Sequence, residues 1–377
     1  MRRYLESSIL NDLSKKMVII TGPRQVGKTF LAKQIAEKFR RPQYMNYDNQ
    51  QDAKIIDNAR WSLDSDLLIF DELHNKNNWK SFLKGLYDKR VESQAILVTG
   101  SARMETFRQS GESLAGRYYH LRLHPFSVRE MKDNMSASEA LRRLLTAGGF
   151  PEPFLSESET DADRWRKQYF TDIIREDILE FSRINEIRTM KILVEMLRNR
   201  VGSPLSLRSL SEDLQVSPNT VGRYVDILSS LFIIFLIRPY HRNIARSIQK
   251  EPKIYFYDTA AVIGDEGIKL ENAAACCLLK HTHYLQDNSG RNLELAYIRT
   301  KEKKEIDFVL VQDDEISELI EVKLSDATPS RELVYFKNKL KKVKAVQIVM
   351  NLRDPQYYRD KEIHIEKAAE YLAALEA

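Results

Sequence analysis

An α/β fold, built on a parallel sheet with helices on both faces, is predicted by three observations. The chain opens with strand and helix patterns in alternation. A glycine-framed loop joins its first apolar strand to the amphipathic helix that follows. One βαβ unit further on, a second apolar strand ends in two adjacent carboxylates. At 377 residues the chain exceeds one ordinary core, so two or three domains are expected.

Met17-Val18-Ile19-Ile20-Thr21 is a short β-branched run, the pattern of a buried strand. Gly22-Pro23-Arg24-Gln25-Val26-Gly27-Lys28-Thr29 follows and reads G-x-x-x-x-G-K-[ST], the phosphate-binding loop. Phe30 to Phe39 is helical in pattern. Strand, loop and helix place backbone N–H groups at a helix N-terminus, an anion site by both local geometry and dipole. Gly22 and Gly27 permit unusual dihedrals and close approach of a phosphate. Lys28 is expected to reach the β- and γ-phosphates, and the Thr29 hydroxyl to ligate Mg²⁺.

Gln43 to Tyr47 reads as the second strand, and residues 50–60 as a helix. Asp66-Leu67-Leu68-Ile69-Phe70-Asp71-Glu72 is the strand with carboxylates at its end. Asp71 would hold Mg²⁺ through its water shell, and Glu72 would orient and deprotonate an attacking water. Ala95 to Thr99 is the next strand, and Thr99 or Ser101 at its end is placed to sense a γ-phosphate. Ser101 serves equally well as a helix cap. Gly116-Arg117 precedes a further strand, Tyr118 to Leu123. Arg117 is a candidate arginine finger, in cis or from a neighbouring subunit, and a surface arginine otherwise. Arg24 could touch phosphate or a partner domain.

Hydrophobic content of 43% and charged content of 30% describe a soluble globular chain. No apolar run reaches spanning length and no signal segment is visible, so a cytoplasmic protein without a membrane partner is expected. The adjacent Cys276 and Cys277 cannot form an ordinary disulfide and lack a second cluster for zinc, which makes them core residues. The net charge of +5 permits nucleic-acid binding without demonstrating it. No repeat or low-complexity segment is evident.

The loop at residues 22–29, Phe70-Asp71-Glu72-Leu73-His74, Thr99-Gly100-Ser101 and Leu114-Ala115-Gly116-Arg117 resemble those of a widespread prokaryotic AAA-type ATPase family. So do Gly148-Gly149-Phe150-Pro151-Glu152 and Lys253-Ile254-Tyr255-Phe256-Tyr257-Asp258. Members carry an N-terminal AAA domain and a C-terminal domain related to PD-(D/E)XK nucleases. The likeness runs through nearly the whole chain in order. It implies an AAA-type P-loop NTPase domain and a C-terminal nuclease-like domain; with the element pattern of the chain, the expected division is a parallel-sheet AAA-type domain over residues 1–135, a helical lid and winged-helix module over 136–245, and an α/β nuclease-like domain over 246–377. It also implies ATP and Mg²⁺ as cofactors.

Leu207 to Leu214 and Pro218 to Leu228 are two short helices around a turn, with Ser217 as N-cap and Pro218 at the first helical position. This is a helix-turn-helix, and a hairpin after Phe232 would make it winged. Asn219, Thr220, Arg223 and Tyr224 would face a DNA groove, with His241, Arg242, Asn243 and Arg246 on phosphates. A packing role is the competing reading.

From Glu266 the pattern is helix, three strands, helix, strand, which resembles the αβββαβ nuclease core. Glu321 and Lys323 share a strand face, since the period is two. A three-residue loop, Asp313-Asp314-Glu315, would set Asp307 opposite Glu321, and Glu271 would enter from the preceding helix. Those three carboxylates could hold Mg²⁺, and Lys323 could orient a water. The expected function is an ATP-binding and ATP-hydrolysing protein whose nucleotide state controls this domain, acting on nucleic acid, DNA before RNA. The alternatives are a nucleotide-gated signalling or scaffold switch with a silent nuclease fold, and a DNA-binding regulator. A homo-oligomer or a partner protein would fit either.

Overall fold

The computed structural model describes residues 1–91, 93–100, 114–179, 184–241 and 250–377, and within these the side chains of 174–179 and 184–186 are not considered. The chain divides into two compact units, Met1–His124 and Pro125–Ala377.

The first unit contains α1 (Glu6–Leu13), β1 (Met17–Thr21), α2 (Lys28–Ala36), β2 (Pro42–Asn46), α3 (Gln50–Asp57), β3 (Leu67–Asp71), α4 (Trp79–Lys89), β4 (Ala95–Thr99) and β5 (Tyr118–Arg122). The strands stand in the order β2-β3-β4-β1-β5, and every pairing is parallel. β1 and β3 are buried along their whole length, as continuous apolar runs in a sheet covered on both faces should be. On one face Met17, Ile19, Phe70 and Val98 pack with Trp79 and Leu83 of α4. Trp61, Phe70 and Phe82 meet edge to face, with ring centroids 5.6–6.1 Å apart.

Parallel pairing brings the C-terminal ends of the strands to one edge. The loop after β1, the carboxylates after β3 and Thr99 of β4 therefore meet there, the usual ligand edge of such sheets. β4 lies between the loop-bearing strand and the carboxylate-bearing strand.

The second unit begins with α5 (Val128–Met131), α6 (Ala137–Ala147), α7 (Pro151–Leu155), α8 (Glu159–Leu179) and α9 (Ile184–Arg198). Arg166 of α8 donates to Asp258 Oδ2 at 2.7 Å and to the Ala147 carbonyl at 3.0 Å, tying distant stretches together. α10 (Leu207–Leu214) and α11 (Pro218–Ser230) form the expected helix-turn-helix, and the Ser217 side chain caps α11 at the Thr220 amide. β6 (Ile234–Ile237) pairs antiparallel with β7 (Lys253–Phe256). Asn219 and Arg223 are exposed, but Tyr224 is buried at 2% exposure and belongs to the core rather than to a groove-facing surface. Helical spacing turns it inward with Val221, Val225 and Leu228. Arg242, Asn243 and Arg246 lie outside the described residues.

α12 (Glu266–Ser289), β8 (Leu293–Arg299), β9 (Glu305–Gln312), β10 (Glu315–Lys323), α13 (Arg331–Lys339) and β11 (Lys344–Val349) follow in the anticipated order. β12 (Gln356–Tyr358), β13 (Ile363–Lys367) and α14 (Ala368–Ala373) extend it, and the sheet order is β12-β13-β11-β10-β9-β8. The β9–β10 turn departs from expectation. Glu315 pairs with Gln312, so the loop has two residues, Asp313 and Asp314, both at positive φ as a two-residue hairpin turn requires. That loop alone would oppose Asp307 to Ile320. A bulge between Ile316 and Glu318 shifts the register by one, and Ile320 pairs with Phe308 instead. The next position then sets Glu321 against Asp307.

Gly22 makes a sharp prediction. Its φ is +151°, and a Cβ there would stand 2.2 Å from the Leu123 carbonyl oxygen. Gly22→Ala should destabilise the first unit by about 3 kcal/mol or more, read from urea unfolding of the full chain.

Candidate functional site

The chain after β1 turns through Gln25 (φ 58°) and Gly27 (φ 96°) before entering α2. Gly27 is the N-cap of α2 and offers no side chain to cap it, so the first-turn N–H groups are left for a ligand. Lys28 is buried, and its Nζ donates to the carbonyls of Gly22 (3.1 Å) and Pro23 (2.6 Å).

Asp71 is fully buried at the end of β3 and gathers hydroxyls from three elements. Thr29 Oγ1 donates to its Oδ2 at 2.7 Å and Tyr44 Oη to the same oxygen at 2.6 Å. Thr99 Oγ1 donates to Oδ1. Burial and the adjoining Asp71 carboxylate push the Tyr44 hydroxyl pKa well up, so it stays a donor. Thr99 is thus committed to Asp71, and Ser101 lies outside the described residues.

Glu72 occupies a left-handed conformation, φ 52°, directly after Asp71. A non-glycine residue in that region is uncommon and carries some backbone strain. His74 Nδ1 stands 3.2 Å from Glu72 Oε2. Burial raises the Glu72 pKa, but His74 together with Lys28 and Arg24 more than reverses this, and the carboxyl sits below its ordinary value. Glu72 is therefore an anion at neutral pH, as a base must be. Arg24 acts on it through charge. These donors and acceptors fit a magnesium nucleotide: N–H groups and Lys28 for phosphate, Thr29 and Asp71 for the ion.

Arg117 is placed otherwise than a cis finger requires. It precedes β5, and Met17 N donates to its carbonyl, so it stands at the N-terminal edge of the sheet. Five strand residues separate that edge from the loop, about 17 Å. Its guanidinium pairs with Asp88 of α4 at 2.8 and 3.1 Å.

In the second unit, Asp307, Glu321 and Lys323 do converge. Lys323 Nζ donates to Glu321 Oε1 at 2.7 Å, and Asp307 Oδ2 accepts from the Val322 amide at 2.9 Å. The magnesium set proposed from Glu271, Asp307 and Glu321 is not formed. Among the described residues no three His, Cys, Asp or Glu side chains are gathered to hold a metal. A buried lysine takes the central place. Lys253 Nζ, 1% exposed, lies 2.7 Å from Glu305, 3.3 Å from Glu271 and 3.7 Å from Asp307. Tyr255 Oη donates to Glu271 at 2.7 Å. Phe308 is in the core, and Tyr297 is buried with its hydroxyl on the Glu251 carbonyl.

Lys253, Tyr255 and Glu305 went unrecognised as cluster members in the sequence. The alternation of Lys253 and Tyr255 on one strand face was a usable signal. Tyr44 and His74 carried none, since a lone Tyr or His near a motif is common.

Residues 14–132 match the family model described as an AAA domain. This part of the chain is similar to AAA domains. Residues 138–264 and 266–371 match two domains of unknown function, DUF8612 and DUF4143. An uncharacterized protein of Mycobacterium tuberculosis is 30% identical over 245 residues, 64% of this chain and 54% of that protein. The chain thus spans about half the length of that mycobacterial relative. An uncharacterized protein of Methanocaldococcus jannaschii is 25% identical over 369 residues, covering 88% and 80%. The structure of a Walker-type ATPase of Pyrococcus abyssi aligns at 14% identity and a TM-score of 0.46, over 69% of this chain and 94% of that one. No described helix is long and apolar enough to cross a membrane.

Two predictions concern the lysine cluster. Lys253→Met would leave three partly buried carboxylates without their ammonium, and should cost about 3–5 kcal/mol by denaturant unfolding. Burial, with the nearby Asp307 charge, also pushes the pKa values of Glu271 and Glu321 above the ordinary carboxylate range. The folded chain then holds protons that the unfolded chain has released, so these groups favour the fold less as pH rises through that window. Glu321→Gln should diminish the rise in melting temperature between about pH 8 and about pH 5.5.

Proposed function

We propose that the protein binds Mg-ATP at residues 22–29 and hydrolyses it. The arrangement that carries this reading is the Asp71 carboxylate held by Thr29, Tyr44 and Thr99, with ionised Glu72 beside it. Lys28 and the α2 N-terminus bind the β- and γ-phosphates. Thr29 and Asp71 hold the ion, which when bound supplies charge neutralisation at the transferred phosphoryl group. Glu72 orients the water and accepts its proton. Arg117 is free of any role at its own loop, and its place at the far sheet edge suits a finger only toward a neighbouring subunit.

For the second unit the reading is a nucleotide-responsive switch whose nuclease-like domain, with its winged-helix neighbour, docks partners without cutting nucleic acid. Lys253 supports it, since a fixed ammonium satisfies the carboxylates that a catalytic metal would need. A nuclease acting on DNA before RNA is the second reading. It is favoured by the Asp307, Glu321 and half-exposed Lys323 group. A cytoplasmic setting belongs to both.

Lys28→Ala should abolish ATP binding in calorimetry. Glu72→Gln should retain binding while lowering turnover by about a hundredfold or more. A wild-type chain that binds no nucleotide ends the first reading. Metal-dependent cleavage of DNA by wild type, lost in Lys323→Ala with ATP hydrolysis intact, would replace the silent reading with the nuclease.

A further inference from the structure

Just before α1, Arg3 is buried against the phosphate loop. Arg3 is 3% exposed, and its guanidinium divides between two carbonyls. Nη1 donates to Val26 O at 2.6 Å, inside the loop, and Nη2 donates to His124 O at 2.7 Å. Tyr4 adds a second tie: its hydroxyl donates to Arg122 O at 2.6 Å and accepts from the His124 amide at 3.1 Å.

Residues 122–124 touch the loop's other end as well. Leu123 N donates to Thr21 O at 2.8 Å, and the Leu123 carbonyl fills the space a Cβ on Gly22 would need. His124 is the last residue of the first unit.

The Val26 contact has a direct consequence for phosphate binding. In a planar trans peptide the C=O and the next N–H point in opposite directions. Drawing Val26 O onto Arg3 therefore aims the Gly27 N–H away from Arg3. It does so between Gln25 and Gly27, the two left-handed positions that shape the loop. A buried carbonyl without a donor would be costly, so the arginine holds this peptide in one orientation. Any shift of that peptide when nucleotide binds is felt by the same guanidinium at His124.

We propose that Arg3 is a positioning residue: it presets the Val26–Gly27 peptide for phosphate and relays the loop's state to residues 122–124, where the chain leaves this unit. The proposal rests on the ATP-binding reading above.

The test uses the full chain as wild type, Arg3→Lys, Arg3→Ala and Leu5→Ala. Leu5 is buried next to Arg3 and makes no polar contact with the loop, so Leu5→Ala reports the effect of lost packing alone. Three readouts are needed: affinity for a fluorescent ATP analogue, melting temperature without nucleotide, and ATP-dependent hydrogen exchange in peptides spanning 121–126. Arg3→Ala should weaken binding by about tenfold or more, and Arg3→Lys, whose single ammonium serves one carbonyl at a time, by less. Both should lose the ATP-dependent change in exchange at 121–126, while Leu5→Ala keeps it together with near-normal affinity at a comparable loss of melting temperature. If Leu5→Ala weakens ATP as much as Arg3→Lys does, the role is packing and the proposal is overturned. It is overturned alone if wild type binds ATP and Arg3→Lys binds within about twofold with its exchange response intact. If wild type binds no nucleotide, the ATP reading falls and the proposal falls with it.

Discussion

One buried carboxylate organises the first unit. Asp71 stands at the end of β3, the strand between β2 and β4, and receives hydroxyl protons from β2, β4 and the first turn of α2. Three separate elements must be in register for those donors to reach it. An isolated anion there would be expensive, and three hydroxyl donors together with the Glu72 amide make it tolerable. The same oxygens are what a hydrated magnesium ion would need, so the network both stabilises the fold and prepares the site.

The second unit solves a similar problem in another way. The ammonium of Lys253 stands within 3.7 Å of Glu305 and Asp307 on the sheet and of Glu271 on α12, while Glu321 pairs with Lys323. An ammonium is a fixed cation of unit charge with no open coordination position. It can hold carboxylates in place, but it cannot polarise a phosphoryl group as a divalent ion does or lower the pKa of a bound water. Among the described residues Glu321 Oε2 is buried without a hydrogen-bond partner, in keeping with the raised pKa of that carboxyl.

Motifs with a local mechanism were legible in the sequence. The loop at 22–29 needs only its own glycines, lysine and hydroxyl residue, and the strand ending in Asp71-Glu72 announces itself by an apolar run that stops at charge. The αβββαβ element order was legible for the same reason. The β9–β10 register was reached by a mistaken path. Asp307 does face Glu321, but through a two-residue turn and a bulge near Ser317 rather than a three-residue loop. Bulges leave little trace in a single sequence, because the extra residue needs no special side chain.

The sequence by itself determined the phosphate loop, the carboxylate pair, the helix-turn-helix and the alternation that puts Glu321 and Lys323 on one face. All depend on dihedral preference or on the periods of helix and strand, which act within a few residues. Only the tertiary structure decided that Arg117 stands at the wrong edge for its own loop, that Tyr224 is core, that Arg3 reaches Val26, and that Lys253 sits among the carboxylates. Each of these depends on which distant segments pair and in which direction. Such contacts are set by burial across the whole unit, and neighbours in sequence do not encode them.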